Sequence, residues 1–359
     1  MKVALLGDIA FFGKFCLSNN PNAFEVFRDV KSYLSRFDFV VANLEAPFVV
    51  KGNKTVGHKS AYIFSDGINV ELLKFIGVNV VNLSNNHIYD YGDAGLENTI
   101  KTLDENNIQW FGVKGKSLLI DSGGKVALHG YCAYNTNSLG LKKDNGVNPL
   151  RIHDVENTLK ENHDAGFYNI VSIHSGDEQV NYPSVEDIKL ARHLACVCPF
   201  TYYGHHPHVA QGIEFYKNSL IAYSLGNFCF DDVFDPNGNL LVKQSANNKT
   251  SFILEVEIFD CELARYDFTS IYTNDDKIHI CDKIENEKIH KYSRALHVNQ
   301  KEYLSFRKEL LSKAICNRNS NRSFKWFINR IRISTLIRLL LVFKNKYLQK
   351  KYVTKYLSI

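Results

Sequence analysis

Five short apolar runs rich in β-formers, VALLGD, FDFVVANLE, VNVVNLSNNH, NIVSIHS and FTYYGHH, each end on side chains that carry charge or lone pairs. Between or after them DAGLENTIKTLDENN, HDVENTLKENHD and EDIKLARHLACV place apolar residues at helical spacing. Strands that alternate with helices bury one face of each element against the other, so the chain is expected to be an α/β protein. In an open α/β sheet the carboxyl ends of parallel strands form the edge where sites are built. That edge would collect Asp8, then Asn43 and Glu45, then Asn85, Asn86 and His87, then His174, and last His205, His206 and His208.

A second group of strands closes the body: SLLIDSGGKVALHGYC, IEFYKNSLIAYSLGN, SFILEVEIFD and ELARYDFTSIY read as hairpins, with GG and KNS as turn signals. The polar stretch from Asp231 to Thr250 reads as a long mobile loop. With 359 residues, 45% of them hydrophobic and 23% charged, the chain can bury a sizeable core in one large domain or two. Eight cysteines lie scattered without a paired framework, which suits a reducing compartment. MKVALLGDIAFFG stops being apolar at Asp8 and reads as a first strand and not as a signal peptide, so a cytoplasmic location is expected.

The collected side chains comprise two carboxylates, amide oxygens and several imidazoles, a set that suits zinc, manganese or iron better than calcium, whose sites are all oxygen. Taken singly each has a plainer reading: Asp8 as a turn former, Asn85 and Asn86 as turn residues, Glu45 as a solvated loop charge, His174 as a hydrogen-bonded core histidine. In TYYGHHPHVAQG three histidines fall within four positions around Pro207, a density that packing alone does not explain. Nothing in the set calls for a Ser/His/Asp triad, and GDIAFFGKF lacks the spacing of a phosphate-cradling loop.

Other residues carry two readings each. In HIYDYGDAGL, Asp90, Asp93 and Gly95 could position His87, or Asp93 could cap the helix that follows. His58 and Lys59 could meet an anionic substrate or sit as ordinary charges on an exposed loop. Glu178, Asn181 and Tyr182 could line the site, Ser224, Gly226 and Asn227 read as a turn close to it, and Cys196 and Cys198 read as buried thiols.

GDIAFFG, VANLEAPF, LSNNHIYDYGDAGL, SIHSGDEQVNYPS, GHHPHVAQGIE and YSLGNFCFDD follow one another in this order between Lys2 and Asp232. Together they resemble the capsule synthesis protein CapA family, also called the poly-gamma-glutamate synthesis CapA/PgsA group, within the calcineurin-like metallophosphoesterase superfamily. The resemblance implies a four-layer αββα sandwich with two divalent metal ions, manganese, iron or zinc, held between strand ends. It implies that Asp8 and His208 bind the first ion, that Glu45 bridges both, and that Asn86, His174 and His205 bind the second. His87 would donate a proton or stabilise phosphate, with Asp90 in the same catalytic pair, while Asn43, Asn85, Glu178, His206 and Asn227 would face the substrate. Two positions depart from the pattern: Ala10 stands where the superfamily often has a second ligand, and Ser175 where many relatives have tryptophan.

The expected function is therefore that of a bacterial metal-dependent hydrolase, of phosphoesterase type, in capsule, exopolysaccharide or polyglutamate biosynthesis. Its substrate would be an anionic or phosphorylated glycan or polymer. Two alternatives stand beside it: a non-hydrolytic accessory subunit of a polymer synthesis or export complex, and a metal-dependent hydrolase of an amide bond.

The chain is expected to divide into a body, residues 1–285, and a basic helical C-terminal extension, residues 286–359. Of its 43 Lys and Arg, 12 lie between Leu310 and Ile359, where there is no Asp or Glu, so the body alone is acidic. KEYLSFRKELLSKAI reads as one helix, and SFKWFINRIRISTLIRLLLVFKNKYLQKKYVTKYL as one or two more. The uncharged run around LLLVF is far shorter than the roughly 18–20 residues that span a bilayer. A basic amphipathic segment of this kind either lies on an anionic membrane surface, at the inner face of the membrane, or packs on the acidic body. No nucleic-acid module accompanies it, and nucleic acid is not an expected partner.

Overall fold

The structure, a computed structural model, describes residues 1–320 apart from 51, 58, 60, 236–237, 275–276 and 282, together with 347, 350, 351, 354 and 355. The first half of the chain runs β1 (Lys2–Ile9), α1 (Ala23–Val26), α2 (Arg28–Leu34), β2 (Phe39–Leu44), α3 (Val70–Ile76), β3 (Val80–Asn82), α4 (Gly92–Glu105), β4 (Gln109–Phe111), β5 (Leu118–Asp121), β6 (Lys125–Cys132), α5 (Ile152–Asp164) and β7 (Tyr168–His174). The second half runs α6 (Val185–Leu194), β8 (Phe200–His205), β9 (Ile213–Tyr216), β10 (Ser219–Ala222), β11 (Asn227–Cys229), β12 (Val233–Phe234), β13 (Leu240–Val242), β14 (Thr250–Phe259), β15 (Glu262–Thr273), β16 (Ile278–Ile280), α7 (Lys283–Ala295) and α8 (Gln300–Ser320).

Two mixed sheets face each other. The first has the order β16-β15-β14-β1-β2-β3-β4, with β11 also paired to β1, and the second has the order β5-β6-β7-β8-β10-β9. The parallel strands β1 to β4 are joined by helices, as parallel neighbours must be, since no tight turn can return the chain in the same direction. Alternation along each strand sorts the side chains into three cores. Ala4, Leu6, Val40, Ala42 and Val81 pack outward against α1 to α4. Val3, Leu5, Val41 and Val80 pack inward against Leu128, Ile170, Tyr203 and Leu220 of the second sheet. Val171, Ile173, Phe200 and Ile221 face out against α5, α6 and the C-terminal helices. The four layers are thus helix, sheet, sheet and helix, the αββα sandwich implied by the family resemblance.

One expectation about the layers changes. The five β-rich runs do not share one sheet edge: β1, β2 and β3 belong to the first sheet, β7 and β8 to the second. Their ends meet across the gap between the sheets. Local signals behave as physics dictates: Ser184 caps α6 through the Asp187 amide while Asp187 reaches back, a reciprocal capping box. At α4 the N-cap is Tyr91, and Asp93 lies in the first turn, where its charge favours the helix dipole and Tyr89 Oη donates to it.

The stretch from Asp231 to Thr250 is built, not merely mobile. It holds the β12–β13 hairpin, and its end is pinned by Gln244 N to Asp232 Oδ1 at 2.6 Å and by Asn248 Nδ2 to the His208 carbonyl at 3.0 Å. Cys198 is buried as expected, but Cys196 is exposed at the end of α6.

The described part of the basic extension packs on the body. Ile289 of α7 is fully buried in the core between the sheets, and Ala295, Leu296 and Tyr303 join the outer core of the second sheet. Tyr303 Oη donates to the Pro183 carbonyl at 2.7 Å, and Arg307 pairs with Asp177. Apart from the five residues named above, the segment from 321 onward lies outside the described residues, as does His58. Among the described residues no helix is long and apolar enough to cross a membrane. Because Ile289 fills space inside the sandwich, Ile289→Ala is expected to cost about 2–5 kcal/mol. Urea unfolding measures this, and an unchanged midpoint would show that α7 is no part of the core.

Candidate metal centre

The site forms where the inward-facing row of each sheet runs out of apolar residues. On β2 and β3 the row continues from Val41 to Asn43 and from Val80 to Asn82, and on β7 and β8 from Ile170 to His174 and from Tyr203 to His205. Asp8 breaks this parity. Val3 and Leu5 face inward, so plain alternation would turn Asp8 toward the helices with Ala4 and Leu6. An irregularity in the β1–β2 pairing between Leu5 and Asp8 re-aims it, the known effect of a bulge beside a site.

Two glycines allow the approach. A Cβ on Gly7 would stand 2.0 Å from the Gly226 carbonyl oxygen, and one on Gly204 would stand 1.8 Å from that of Tyr223. Neither position admits another residue without moving backbone, which is why a glycine directly precedes both Asp8 and His205.

Asp8 Oδ1 accepts from Asn43 Nδ2 and from His205 Nδ1, both at 2.8 Å. His208 lies with Nδ1 3.4 Å from Asp8 Oδ2 and Nε2 3.8 Å from Glu45 Oε1. His174 Nε2 is 2.9 Å from Asn86 Oδ1 and 3.8 Å from Glu45 Oε1. Ligand atoms of Asp8, Glu45 and His208 all fall within 4.8 Å of one another. The backbone adopts φ of +94° at His206 and +56° at His208, a conformation unfavourable for residues other than glycine and held here by the surrounding contacts.

The unpaired atoms of this cluster are as informative as the paired ones. Among the described residues, buried Asp8 Oδ2, both Glu45 carboxylate oxygens, His174 Nδ1, His205 Nε2 and His206 Nδ1 have no hydrogen-bond partner. A buried polar atom left unpaired costs about 1–3 kcal/mol, and more when charged, so a group of them in one place marks a pocket made for a positive ligand. Carboxylate oxygens with imidazole nitrogens form the donor set of zinc, manganese or iron. The residues present therefore fit a divalent cation, with Asp8, Glu45 and His208 as its nearest-gathered ligands.

Electrostatics agree. Burial pushes the Glu45 carboxyl up to about 8, with the Asp8 charge adding to it and His208 and Lys59 opposing. Burial would raise Asp8 as well, but hydrogen bonds and charge from His205 and His208 outweigh it and hold Asp8 well below the carboxylate range. For His208 burial disfavours the imidazolium, yet Glu45 and then Asp8 prevail and lift it to about 10. Burial, aided by His206, holds His174 well below its usual value, and burial takes His206 down to about 4. Neutral imidazole is the form that binds metal, which suits His174 and His206 as they stand, whereas His208 would give up its proton to a bound cation.

His87 sits beside this cluster with Asp90. Its Nδ1 is 2.6 Å from Asp90 Oδ2, so the pair assigned from the sequence is in contact. Lys59 completes the group: it is buried, with Nζ 2.7 Å from Asp90 Oδ1 and 2.8 Å from the Asn86 carbonyl. The reading of Lys59 as an ordinary exposed charge is thereby corrected, and no local pattern in VGHKSAYIF announces it. Asn82 is a further residue that sequence reasoning misses: its Nδ2 bridges Asn43 Oδ1 and Ser172 Oγ, each at 3.0 Å, tying the two sheets together. An amide inside the apolar run VNVVNL is the available signal.

The residues assigned to the substrate divide. Asn43 is fully buried between Asp8 and Asn82, and Asn85 Nδ2 donates to the Leu44 carbonyl at 2.8 Å while its Oδ1 accepts from the Ile88 amide at 2.9 Å. In this structure the amides of both brace the site through these hydrogen bonds. Asn227 Oδ1 accepts from His208 Nδ1 at 2.9 Å, so it orients that ring. His206 is buried with its ring centroid 4.9 Å from that of His174, among the ligand-type groups. Glu178 is exposed, on a loop whose Gln179 amide donates to the Pro207 carbonyl at 2.7 Å. Tyr182 packs instead against Tyr292, Tyr303 and Phe306 of the C-terminal helices, and Asn181 donates to the Ala210 carbonyl. Ala10 is buried and offers no ligand atom.

A pH dependence follows. Glu45 is raised above its ordinary value of about 4.5, so without metal it supports the fold below that value and the support is lost as pH climbs through about 8. Asp8 is depressed, so its support is present above the ordinary carboxylate range and lost only as pH falls through its lowered folded value. A cation held by Glu45 and His208 must displace the protons of both, so binding releases protons and tightens with pH. Manganese or zinc is expected to raise the melting temperature more at about pH 8.5 than at about pH 6, and equal shifts in a thermal-denaturation series would refute this.

Comparison with known proteins places the chain in a family. Residues 2–232 match the family described as Bacterial capsule synthesis protein PGA_cap. The chain is 33% identical over 223 residues to Capsule biosynthesis protein CapA of Bacillus anthracis, covering 57% of this chain and 54% of that protein. It is 28% identical over 242 residues to PGA biosynthesis protein CapA of Bacillus subtilis (strain 168), covering 64% and 63% respectively. The chain thus spans between half and two thirds of the length of these relatives. Among solved structures it is similar to a hypothetical protein from Thermus thermophilus, at 14% identity and a TM-score of 0.47 over 76% of this chain and 100% of that one. With the match extending from β1 past the end of β11, and so over every strand end that contributes to the site, the chain belongs to the bacterial capsule synthesis protein family, PGA_cap.

Proposed function

We propose that the chain is a metal-dependent hydrolase of phosphoesterase type that serves bacterial capsule, exopolysaccharide or poly-gamma-glutamate production. The observation that carries this reading is the set of buried, partnerless carboxylate and imidazole atoms gathered from both sheets. Asp8, Glu45 and His208, with Asn86, His174 and His205 beside them, are the residues that would hold a pair of divalent ions. Such ions, when bound, lower the pKa of a coordinated water and clamp the oxygens of a phosphate ester. Ala10 leaves one conventional ligand position without a donor, which makes the first ion the weaker of the two.

His87 and Asp90 supply the protein's own acid–base chemistry. Asp90 accepts from His87 Nδ1, which leaves Nε2 as the nitrogen that works on the substrate. Burial, followed by the Lys59 ammonium, lowers the His87 pKa, so the ring is neutral before substrate arrives. A phosphate brought against Nε2 adds negative charge and so favours uptake of a proton from water at Nε2, which the ring then gives to the departing alkoxide as it returns to neutral. The names of the two Bacillus relatives support a capsular polymer or polyglutamate as the setting, and an anionic or phosphorylated glycan or polymer as the substrate class. The basic extension would keep the enzyme near such a polymer or an anionic membrane surface.

A non-hydrolytic role in a polymer synthesis complex is the second reading, and Ala10 is the feature that favours it. Turnover separates the two. With manganese added, the full-length protein is expected to hydrolyse an aryl phosphate, and His87→Ala and His174→Ala are each expected to lose at least about 100-fold in kcat with an unchanged circular dichroism spectrum. Protein that retains less than about one equivalent of any transition metal and turns over no phosphate ester would support the accessory role and end the hydrolase reading.

A further inference from the structure

We propose that Lys59 is a positioning residue of the site, whose ammonium braces the Asn86–Asp90 turn and thereby sets the orientation and tautomer of His87. The proposal rests on the hydrolase reading for its consequence in turnover, but not for its structural content.

Lys59 comes from the long connection between β2 and α3. An ammonium is rarely buried unless it is paired, and Lys59 is only 6% exposed. Its partners explain the burial. Nζ donates to Asp90 Oδ1 at 2.7 Å and to the Asn86 carbonyl at 2.8 Å, and stands 3.1 Å from His87 Nδ1. Asp90 and Asn86 lie on either side of His87, so one cation ties together both ends of the turn that presents the ring.

The contacts also decide which proton sits where. His87 Nδ1 lies between an acceptor, Asp90 Oδ2 at 2.6 Å, and a donor, the Lys59 ammonium. The shorter contact and the full charge of the carboxylate place the proton on Nδ1, directed at Asp90. Lys59 makes this arrangement single-valued because it occupies Oδ1, leaving Oδ2 as the oxygen that meets the ring. The connection carrying Lys59 is itself anchored on the same turn: the Val56 amide donates to the Asp90 carbonyl at 2.9 Å, and the Ile63 amide to Asp90 Oδ2 at 3.4 Å. Without the ammonium, Asp90 keeps a buried charge with Oδ1 unpaired and is held only through Oδ2, by His87 and by the Ile63 amide at 3.4 Å, so the carboxylate and the ring bonded to it lose the contact that fixes their common orientation.

The test uses full-length, zinc-loaded protein labelled with nitrogen-15 in histidine, comparing Lys59→Met with the unmodified chain. Signals of His87 are identified by their loss in His87→Gln. The expected result is that Lys59→Met retains its zinc while the His87 signals shift from one protonated and one unprotonated nitrogen toward averaged values. In an aryl phosphate assay kcat is expected to fall by about 10–100-fold with KM nearly unchanged, the size typical of removing a group that orients a site residue. Unshifted His87 signals in Lys59→Met overturn the proposal. If the unmodified chain shows no turnover, the hydrolase reading fails, and the nitrogen signals alone still decide the role of Lys59. Should Lys59→Met not fold, Lys59→Gln is judged by the same signals.

Discussion

Two buried carboxylates facing imidazoles across the gap between two sheets form the constraint around which this molecule is arranged. Asp8 and Glu45 are both fully buried, and drying an ionised carboxylate costs several kcal/mol unless opposite charge or hydrogen bonds compensate. The histidines supply part of that compensation, as the opposed shifts of Asp8 and His208 show. Three buried carboxylate oxygens of Asp8 and Glu45 have no hydrogen-bond partner among the described residues, an arrangement that suits a cation.

The surrounding structure serves that cluster. Gly7 and Gly204 let backbone come close enough to deliver Asp8 and His205, and Asn43 and Asn82 form an amide chain behind them that reaches Ser172 of the facing sheet. The loop over the site is held from outside, since Pro183 and Asp177 are gripped by Tyr303 and Arg307 of α8. Part of the basic extension is therefore structural, although its composition reads as that of an appendage.

Much of the architecture was legible. Strong periodicity placed β7, α4, α5 and α6 close to their observed limits, because amphipathic segments in a layered protein must put their apolar stripe against the sheet. The GG and KNS turns marked true hairpins. Short elements without such periodicity, α1, α3 and β4, went unread, as did the parallel pairing of β11 with β1, which depends on a distant strand. That Asp8, Glu45, His174, His205 and His208 come together was legible through their position at the ends of apolar runs. Asn43 and Asn85 had the same signature, but their hydrogen bonds to Asp8, Asn82, the Leu44 carbonyl and the Ile88 amide could not be read from position, because an amide's partners lie on distant segments.

By itself the sequence determined the α/β class, the alternation of the longer strands and helices, and the chemical kinds of atom delivered at strand ends. These follow from periodicity and side-chain type, which are local properties. Tertiary structure alone decided that the ends come from two sheets and not one, that a bulge turns Asp8 inward, and that Lys59 lies beneath His87. Each of those depends on which distant segment fills the space opposite, and burial and pairing are properties of that pair of segments, not of either one.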